Sequence, residues 1–219
     1  MDRTILIALV AALAAALILF ALWPSLDLAA ARAFYADGHF VGPTPLGKWG
    51  REFFRVVPYA LLIVLELAYG LSRLGLKIPY APSGRAALFL AATMAIGPGL
   101  IVNLGMKDHL HRPRPVHVQE FGGDAPFKPW YAFDGGCDKN CAFASGEAAQ
   151  GFWMVAPALI VPPPWRPVAI GLALAFGFAA SLLRLAFGGH FVSDVTVGGL
   201  IALIVIFGLK RVFWPRGGP

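Results

Sequence analysis

Long apolar runs separated by short polar stretches make up most of the chain. A transmembrane helix needs about 20 mostly apolar residues, and six segments reach or approach that length. They are residues 5–23, 56–74, 86–106, 146–161, 168–185 and 192–209, of which the fourth is the shortest. The pattern predicts an all-α integral membrane protein, a six-transmembrane-helix bundle forming a single domain over residues 1–219.

The composition supports a membrane protein and argues against a soluble domain and against a nucleic-acid-binding protein. Hydrophobic residues make up 58% of the chain and charged residues 14%, whereas soluble domains usually carry about 25% charged residues. The net charge of +6 is compatible with a nucleic-acid partner. However, no run of Lys or Arg is longer than two, so no nucleic acid is expected and the charge fits membrane flanks and an anion site.

The arrangement of charges predicts the orientation. Six spans place both termini on one side, and the short loops of that side are almost purely basic, as is typical of the cytoplasmic face. These basic residues are Arg3, Arg73, Lys77, Arg85, Arg166, Lys210, Arg211 and Arg216. We therefore expect a multi-pass protein of the inner (plasma) membrane, with the loop between helices 3 and 4 facing the periplasm or exterior. A cleaved signal peptide is the alternative for the first span, but its apolar run of about 18 residues exceeds the usual 7–15.

Both cysteines, Cys137 and Cys141, lie in that long loop. Disulfides persist outside the cytoplasm, so the spacing favours a local disulfide. Half of a metal site, completed by His109 or His111, is the second possibility, and two free thiols are the third.

Residues able to do chemistry gather in three places, each at the same end of a span. They follow the third span at residues 107–115, open the fourth at 144–147, and join the fifth to the sixth at 184–194. Alternating spans would place all three on one face of the membrane, where they can converge. Individually, such residues are more often interfacial anchors, helix caps or structural histidines.

Together these residues have the chemistry of a phosphate site. Lys107, Arg114 and Arg184 supply three cations, and a guanidinium can bind two phosphate oxygens at once. Ser145 and Gly146 offer a hydroxyl and unpaired backbone N–H groups at a helix start. The several convergent carboxylates that a two-metal phosphatase requires are missing from this set.

His190 and Asp194 are one helical turn apart, a spacing that lets the carboxylate reach the imidazole. A carboxylate on one ring nitrogen fixes the tautomer and leaves the other nitrogen free to attack phosphorus.

The order and spacing of these motifs resemble the type 2 phosphatidic acid phosphatase family, the membrane relatives of the vanadium haloperoxidases. The family pattern is K-x6-R-P, then P-S-G-H, then S-R-x5-H-x3-D. Lys107-x6-Arg114-Pro115 matches the first motif, and Arg184-x5-His190-x3-Asp194 matches the third except that Leu183 replaces its serine. The second motif departs more, because Ala144-Ser145-Gly146-Glu147 ends on glutamate.

The resemblance implies a role for each matching residue. His190 would form a phosphohistidine and Asp194 would orient it. Lys107, Arg114, Ser145, Gly146 and Arg184 would bind the phosphoryl oxygens. Glu147 stands where the family has the histidine that protonates the leaving group. Glu147 itself, His109 or His111 could supply that proton, or the leaving group could need none.

The resemblance therefore implies hydrolysis of a phosphate ester or anhydride on a lipid, with no metal or other cofactor required. Lipid A, undecaprenyl diphosphate, phosphatidylglycerol phosphate and phosphatidate are the candidate substrates. A lipid phosphotransferase using the same intermediate and a non-catalytic lipid-phosphate binder are the alternatives. The sequence does not indicate an oligomeric state.

Overall fold

The computed structural model describes residues 2–107 and 109–215, so Arg216 of the basic face lies outside the described residues. The chain is mostly helical. Its helices are α1 (Asp2–Leu22), α2 (Ser25–Arg32), α3 (Pro45–Arg73), α4 (Gly84–Met94), α5 (Gly146–Trp153), α6 (Val155–Ile160), α7 (Arg166–Ala186) and α8 (Val192–Phe213). A two-stranded antiparallel hairpin, β1 (Tyr35–Ala36) and β2 (His39–Phe40), follows α2.

Among the described residues, five helices are long and apolar enough to cross a membrane. They are α1, α3, α4 together with its continuation to Met106, α7 and α8. The multi-pass character predicted from the sequence is thus confirmed. The fourth predicted segment takes another form: it folds as the two short helices α5 and α6, which break at Met154. Pro157 explains the break, because it has no N–H to donate to the carbonyl four residues earlier.

The second predicted span begins earlier than its apolar run. Helix α3 starts at Pro45, capped by Thr44, whose hydroxyl accepts a hydrogen bond from the backbone N–H of Gly47 at 3.0 Å. Pro at the first helical position is favourable because its missing N–H would have no partner there. The three helical turns that precede the predicted span place Arg51 at the end of the bundle where α5 begins.

Helix α4 continues as a π-helix over Ala95–Met106. Pro98 lies near the start of this segment and cannot donate a backbone hydrogen bond, which disfavours the regular α-helical ladder. The π-helical segment ends directly before Lys107.

Helix α5 occupies the centre of the bundle, in contact with α3, α7, α8 and the π-helix. Trp153 is fully buried in the main core cluster with Phe89, Leu90 and Ile206. Its indole N–H donates to the Thr93 hydroxyl at 3.0 Å. The start of α5 is therefore fixed by packing on several sides, and it carries Ser145, Gly146 and Glu147 to one end of the bundle.

Candidate active site

All eight residues predicted to form the site lie at one end of the bundle. Lys107 follows the π-helix, Ser145 caps α5, and Arg184 is in the last turn of α7. His190 lies between α7 and α8, and Asp194 is in the first turn of α8. The alternation of helix directions thus brings three distant stretches of sequence together.

His190 is buried, and its two ring nitrogens differ in environment. Nδ1 lies 2.7 Å from the carbonyl oxygen of Ala142. Since a carbonyl only accepts, Nδ1 carries the proton. The nearer carboxylate oxygen of Asp194 is 3.6 Å from Nδ1, so the backbone carbonyl is the closer partner. This leaves Nε2 as the nitrogen with a free lone pair.

Burial and surrounding positive charge keep His190 neutral. Burial is the largest influence, and Arg184, Arg114 and Lys107 add to it, so the pKa of His190 lies well below 6.5. The guanidinium of Arg184 also lies directly against the backbone of Gly189, where a side chain at that position would collide with it. A neutral imidazole keeps a lone pair that can attack an electrophile, and the surrounding cations suit an anionic group.

Asp194 is held by hydrogen bonds on both oxygens. One oxygen accepts from the backbone N–H of Phe191 at 2.7 Å, and the other pairs with Arg112 at 2.5 Å. The backbone carbonyl of Asp194 accepts from the N–H of Ser145 at 3.0 Å. Asp194 therefore joins the start of α8 to the start of α5.

Arg112 is fully buried and pairs with two carboxylates. Besides Asp194, it binds Asp27 of α2 at 2.7 Å, and it donates to the Ser193 hydroxyl and the Lys128 carbonyl. Ser193 in turn donates through its N–H and its hydroxyl to Asp27. Burial raises the pKa of Asp27, although Arg112 acts in the opposite direction. The backbone of Arg112 contributes as well, because its carbonyl accepts from the N–H of Ala142 at 2.8 Å.

The two cations of the first motif share an acceptor in the cysteine loop. Arg114 donates to the side-chain oxygen of Asn140 at 2.9 Å and to its backbone carbonyl at 2.8 Å. Lys107 donates to the same side-chain oxygen at 3.3 Å. Asn140 lies between Cys137 and Cys141, which form a disulfide.

The histidines of the first motif contact the protein differently. His111 Nδ1 lies 2.8 Å from the carbonyl oxygen of Cys137, while His109 is exposed. Within residues 2–107 and 109–215, no group of three or more His, Cys, Asp or Glu side chains is arranged to hold a metal ion.

Glu147 lies between two arginines. Arg51 from the start of α3 binds its carboxylate with a shortest distance of 2.8 Å, and Nε of Arg184 is 3.5 Å away. The side chain of Glu147 is 18% exposed. Arg51 therefore adds a cation beside Arg184, contributed by a helix that the sequence motifs do not include.

Ser145 and Gly146 shape the start of α5. The Ser145 hydroxyl accepts from the N–H of Ala148 at 3.3 Å. A side chain at position 146 would collide with the amide oxygen of Asn103 in the π-helix. Glycine here lets the π-helix approach the backbone at the helix start.

Five residues that position this site were missed by reasoning from the sequence: Asp27, Arg51, Arg112, Asn140 and Ala142. The sequence offered one indication for Arg112: it lies inside the first motif and, like Arg114, is followed by a proline. Asp27 and Arg51 gave none, because each comes from a segment outside the three motifs.

Comparison with known proteins identifies the family. The model of the PAP2 superfamily matches residues 86–217, more than half of the chain and all three motifs. The chain belongs to the PAP2 superfamily. The resemblance inferred from the motifs is thereby confirmed.

Two relatives match over most of their length. One is the lipid A 4'-phosphatase of Francisella tularensis subsp. novicida (strain U112), 37% identical over 85% of this chain and 86% of the relative. The other is the lipid A 4'-phosphatase of Rhizobium etli (strain ATCC 51251 / DSM 11541 / JCM 21823 / NBRC 15573 / CFN 42), 32% identical over 89% of this chain and 82% of the relative. No solved structure matches the chain.

Proposed function

We propose that this protein removes a phosphate monoester from lipid A through a phosphohistidine on His190. Its hydrolase class follows from membership of the PAP2 superfamily and from its lipid phosphatase relatives. The lipid A substrate rests on the relatives, both of which are lipid A 4'-phosphatases. The observation that carries the chemistry is the buried, neutral His190, whose Nδ1 is bound to the Ala142 carbonyl.

The proposed reaction has two steps. Nε2 of His190 attacks phosphorus while the bond to the lipid oxygen breaks, and water then cleaves the phosphorus–nitrogen bond to release inorganic phosphate. Lys107, Arg114 and Arg184 stabilise the charge that spreads over the phosphoryl oxygens. The N–H groups at the start of α5 contribute to the same stabilisation. No step requires a metal ion.

Glu147 is our candidate for the group that protonates the leaving oxygen. In the structure its carboxylate is paired with Arg51 and Arg184, an arrangement that favours the ionised form. A dianionic phosphate bound at Arg184 would compete for that arginine and bring negative charge beside Glu147. Both effects favour uptake of a proton by Glu147 before the ester bond breaks.

The proposed topology has six crossings, with α5 and α6 together making the fourth. This places the catalytic end on the periplasmic or outer face of the inner membrane, opposite the short basic loops. It also lets the headgroup enter the basic site while the acyl chains remain in the bilayer.

Phosphate release from lipid A by the purified protein, with chelator present, tests the proposal. We expect release that His190→Ala abolishes and that His117→Ala, at an exposed histidine outside the three motifs, leaves intact. Transfer of the phosphate to a second lipid without release would instead identify a phosphotransferase. Release from undecaprenyl diphosphate or phosphatidate but not from lipid A would disprove the substrate assignment.

A further inference from the structure

An apolar groove runs along the outside of the bundle between α7 and α8. Its volume is about 330 Å³. The floor of the groove is the ring of Phe152 from α5. This ring packs against Gly177 of α7 and Gly199 of α8, and a side chain at either glycine would collide with it. The two glycines therefore let the ring fit between α7 and α8.

The walls of the groove suit hydrocarbon. Phe178 and Leu182 of α7 form one rim and are 61% and 55% exposed. Leu200 and Leu203 of α8 line the opposite wall. The hydroxyl of Ser181 donates to the Gly177 carbonyl of its own helix at 2.8 Å, so it is already satisfied.

One end of the groove adjoins the catalytic residues. Leu185 and Val195 line it there and pack in one buried cluster with Ala148. These three residues directly follow Arg184, Asp194 and Glu147 in the chain. The groove therefore starts one layer of side chains away from the phosphate site.

The length of the groove matches half of a bilayer. It follows α8 from Val192 to Leu203, which at the helical rise of 1.5 Å per residue is about 17 Å. The hydrocarbon core of a bilayer is about 30 Å thick, so one leaflet spans roughly half of that. A lipid whose phosphate lies at His190 would have its chains along this length.

We infer that this groove binds one acyl chain of the phosphorylated lipid, an inference that rests on the proposed function. A larger groove of about 540 Å³ is lined by Leu61, Pro157 and Val161. It lies where α6 ends, at the other end of the helices from His190, and so cannot receive a chain of the same lipid near its headgroup. Position relative to the site, rather than size, selects the α7–α8 groove.

Filling the groove tests the inference. Thr196→Trp and Leu200→Trp place a large side chain in it, whereas Leu67→Trp adds the same side chain at an exposed position of α3 outside the groove. We expect the two groove variants to lower kcat/KM for lipid A at least tenfold relative to kcat/KM for phenyl phosphate, which has no acyl chain. The Leu67→Trp protein should keep the wild-type ratio.

A binding measurement separates failure of the groove from failure of the proposed function. Lipid A retained by His190→Ala protein, counted by native mass spectrometry, should fall when Thr196→Trp is added and stay constant when Leu67→Trp is added. Unchanged retention and an unchanged ratio would mean that the groove holds only bulk lipid, which overturns the inference. A wild-type protein that binds lipid A through the groove but releases no phosphate would contradict the proposed function alone.

Discussion

At the scale of single residues, His190 shows how a backbone contact sets the chemistry of a side chain. The Ala142 carbonyl accepts a hydrogen bond from Nδ1–H, with an N···O distance of 2.7 Å, and this fixes the tautomer without requiring a direct hydrogen bond to Asp194. Asp194 then acts at 3.6 Å, close enough to stabilise positive charge that develops on the ring. The sequence motif pairs the histidine with the aspartate, whereas in the structure the hydrogen-bond partner of Nδ1 is the backbone carbonyl of Ala142.

The pH dependence of kcat/KM should reflect this environment. Because burial and three cations hold the pKa of His190 below 6.5, His190 stays neutral through neutral pH and its acid limb should fall below 6.5. The second ionisation of the substrate phosphate, with a pKa near 6, must be titrated separately. Lys107→Gln removes one positive charge and should move the His190 limb to higher pH. A His190 limb above 6.5 in the wild type would contradict the assignment.

Glu147→Gln should lower turnover while leaving substrate binding largely intact. The amide keeps the shape of the side chain but cannot donate the proton that general acid catalysis requires, a loss of about 10² or more in kcat. The loss should be large for lipid A and small for 4-nitrophenyl phosphate, whose leaving group needs no proton. The control is Glu52→Gln, which removes an exposed carboxylate from the residue next to Arg51 in α3. Equal turnover by wild type and Glu147→Gln would remove Glu147 from the mechanism.

At the scale of elements, Arg112 is the junction of three separate segments. Its side chain binds Asp27 of α2 and Asp194 of α8, and its backbone carbonyl accepts from the N–H of Ala142, which holds His190. The centroid of the Phe191 ring lies 4.4 Å from the guanidinium carbon of Arg112. The buried carboxylates of Asp27 and Asp194 share the guanidinium of Arg112. Removing Arg112 would leave both carboxylates as unpaired buried charges.

Arg112→Met should therefore destabilise the protein strongly. Leaving two buried carboxylates without their cation costs roughly 3–5 kcal/mol, measurable as a fall in Tm in detergent. Arg112→Lys keeps the charge but cannot bind both carboxylates in a planar fork, and it should fold while losing kcat. Arg55→Met, at an exposed pair with Glu52, should change Tm little. A fully stable and active Arg112→Met protein would show that the network has no positioning role.

At the scale of the whole molecule, apolar periodicity and motif order predicted the helical membrane class, the family and the convergence of the cations. They could not place Arg51, because the charged residues between Lys48 and Arg55 end the apolar run although the helix continues through them to Pro45. The break at Met154 has a visible cause in Pro157, yet only packing shows that α5 and α6 remain in the core. Contacts between distant segments, such as that of Asp27 with Ser193, leave no pattern in the sequence.

The disulfide between Cys137 and Cys141 closes the loop that presents Asn140 to Lys107 and Arg114. Closing a loop restricts the positions that its residues can occupy, so the shared acceptor of the two cations is held in place by a covalent bond that forms only where thiols oxidise. We therefore expect reduction of this disulfide to loosen the position of Asn140 relative to Lys107 and Arg114. A chain held in a reducing compartment would carry both cations and yet lack the covalent brace that fixes the acceptor they share.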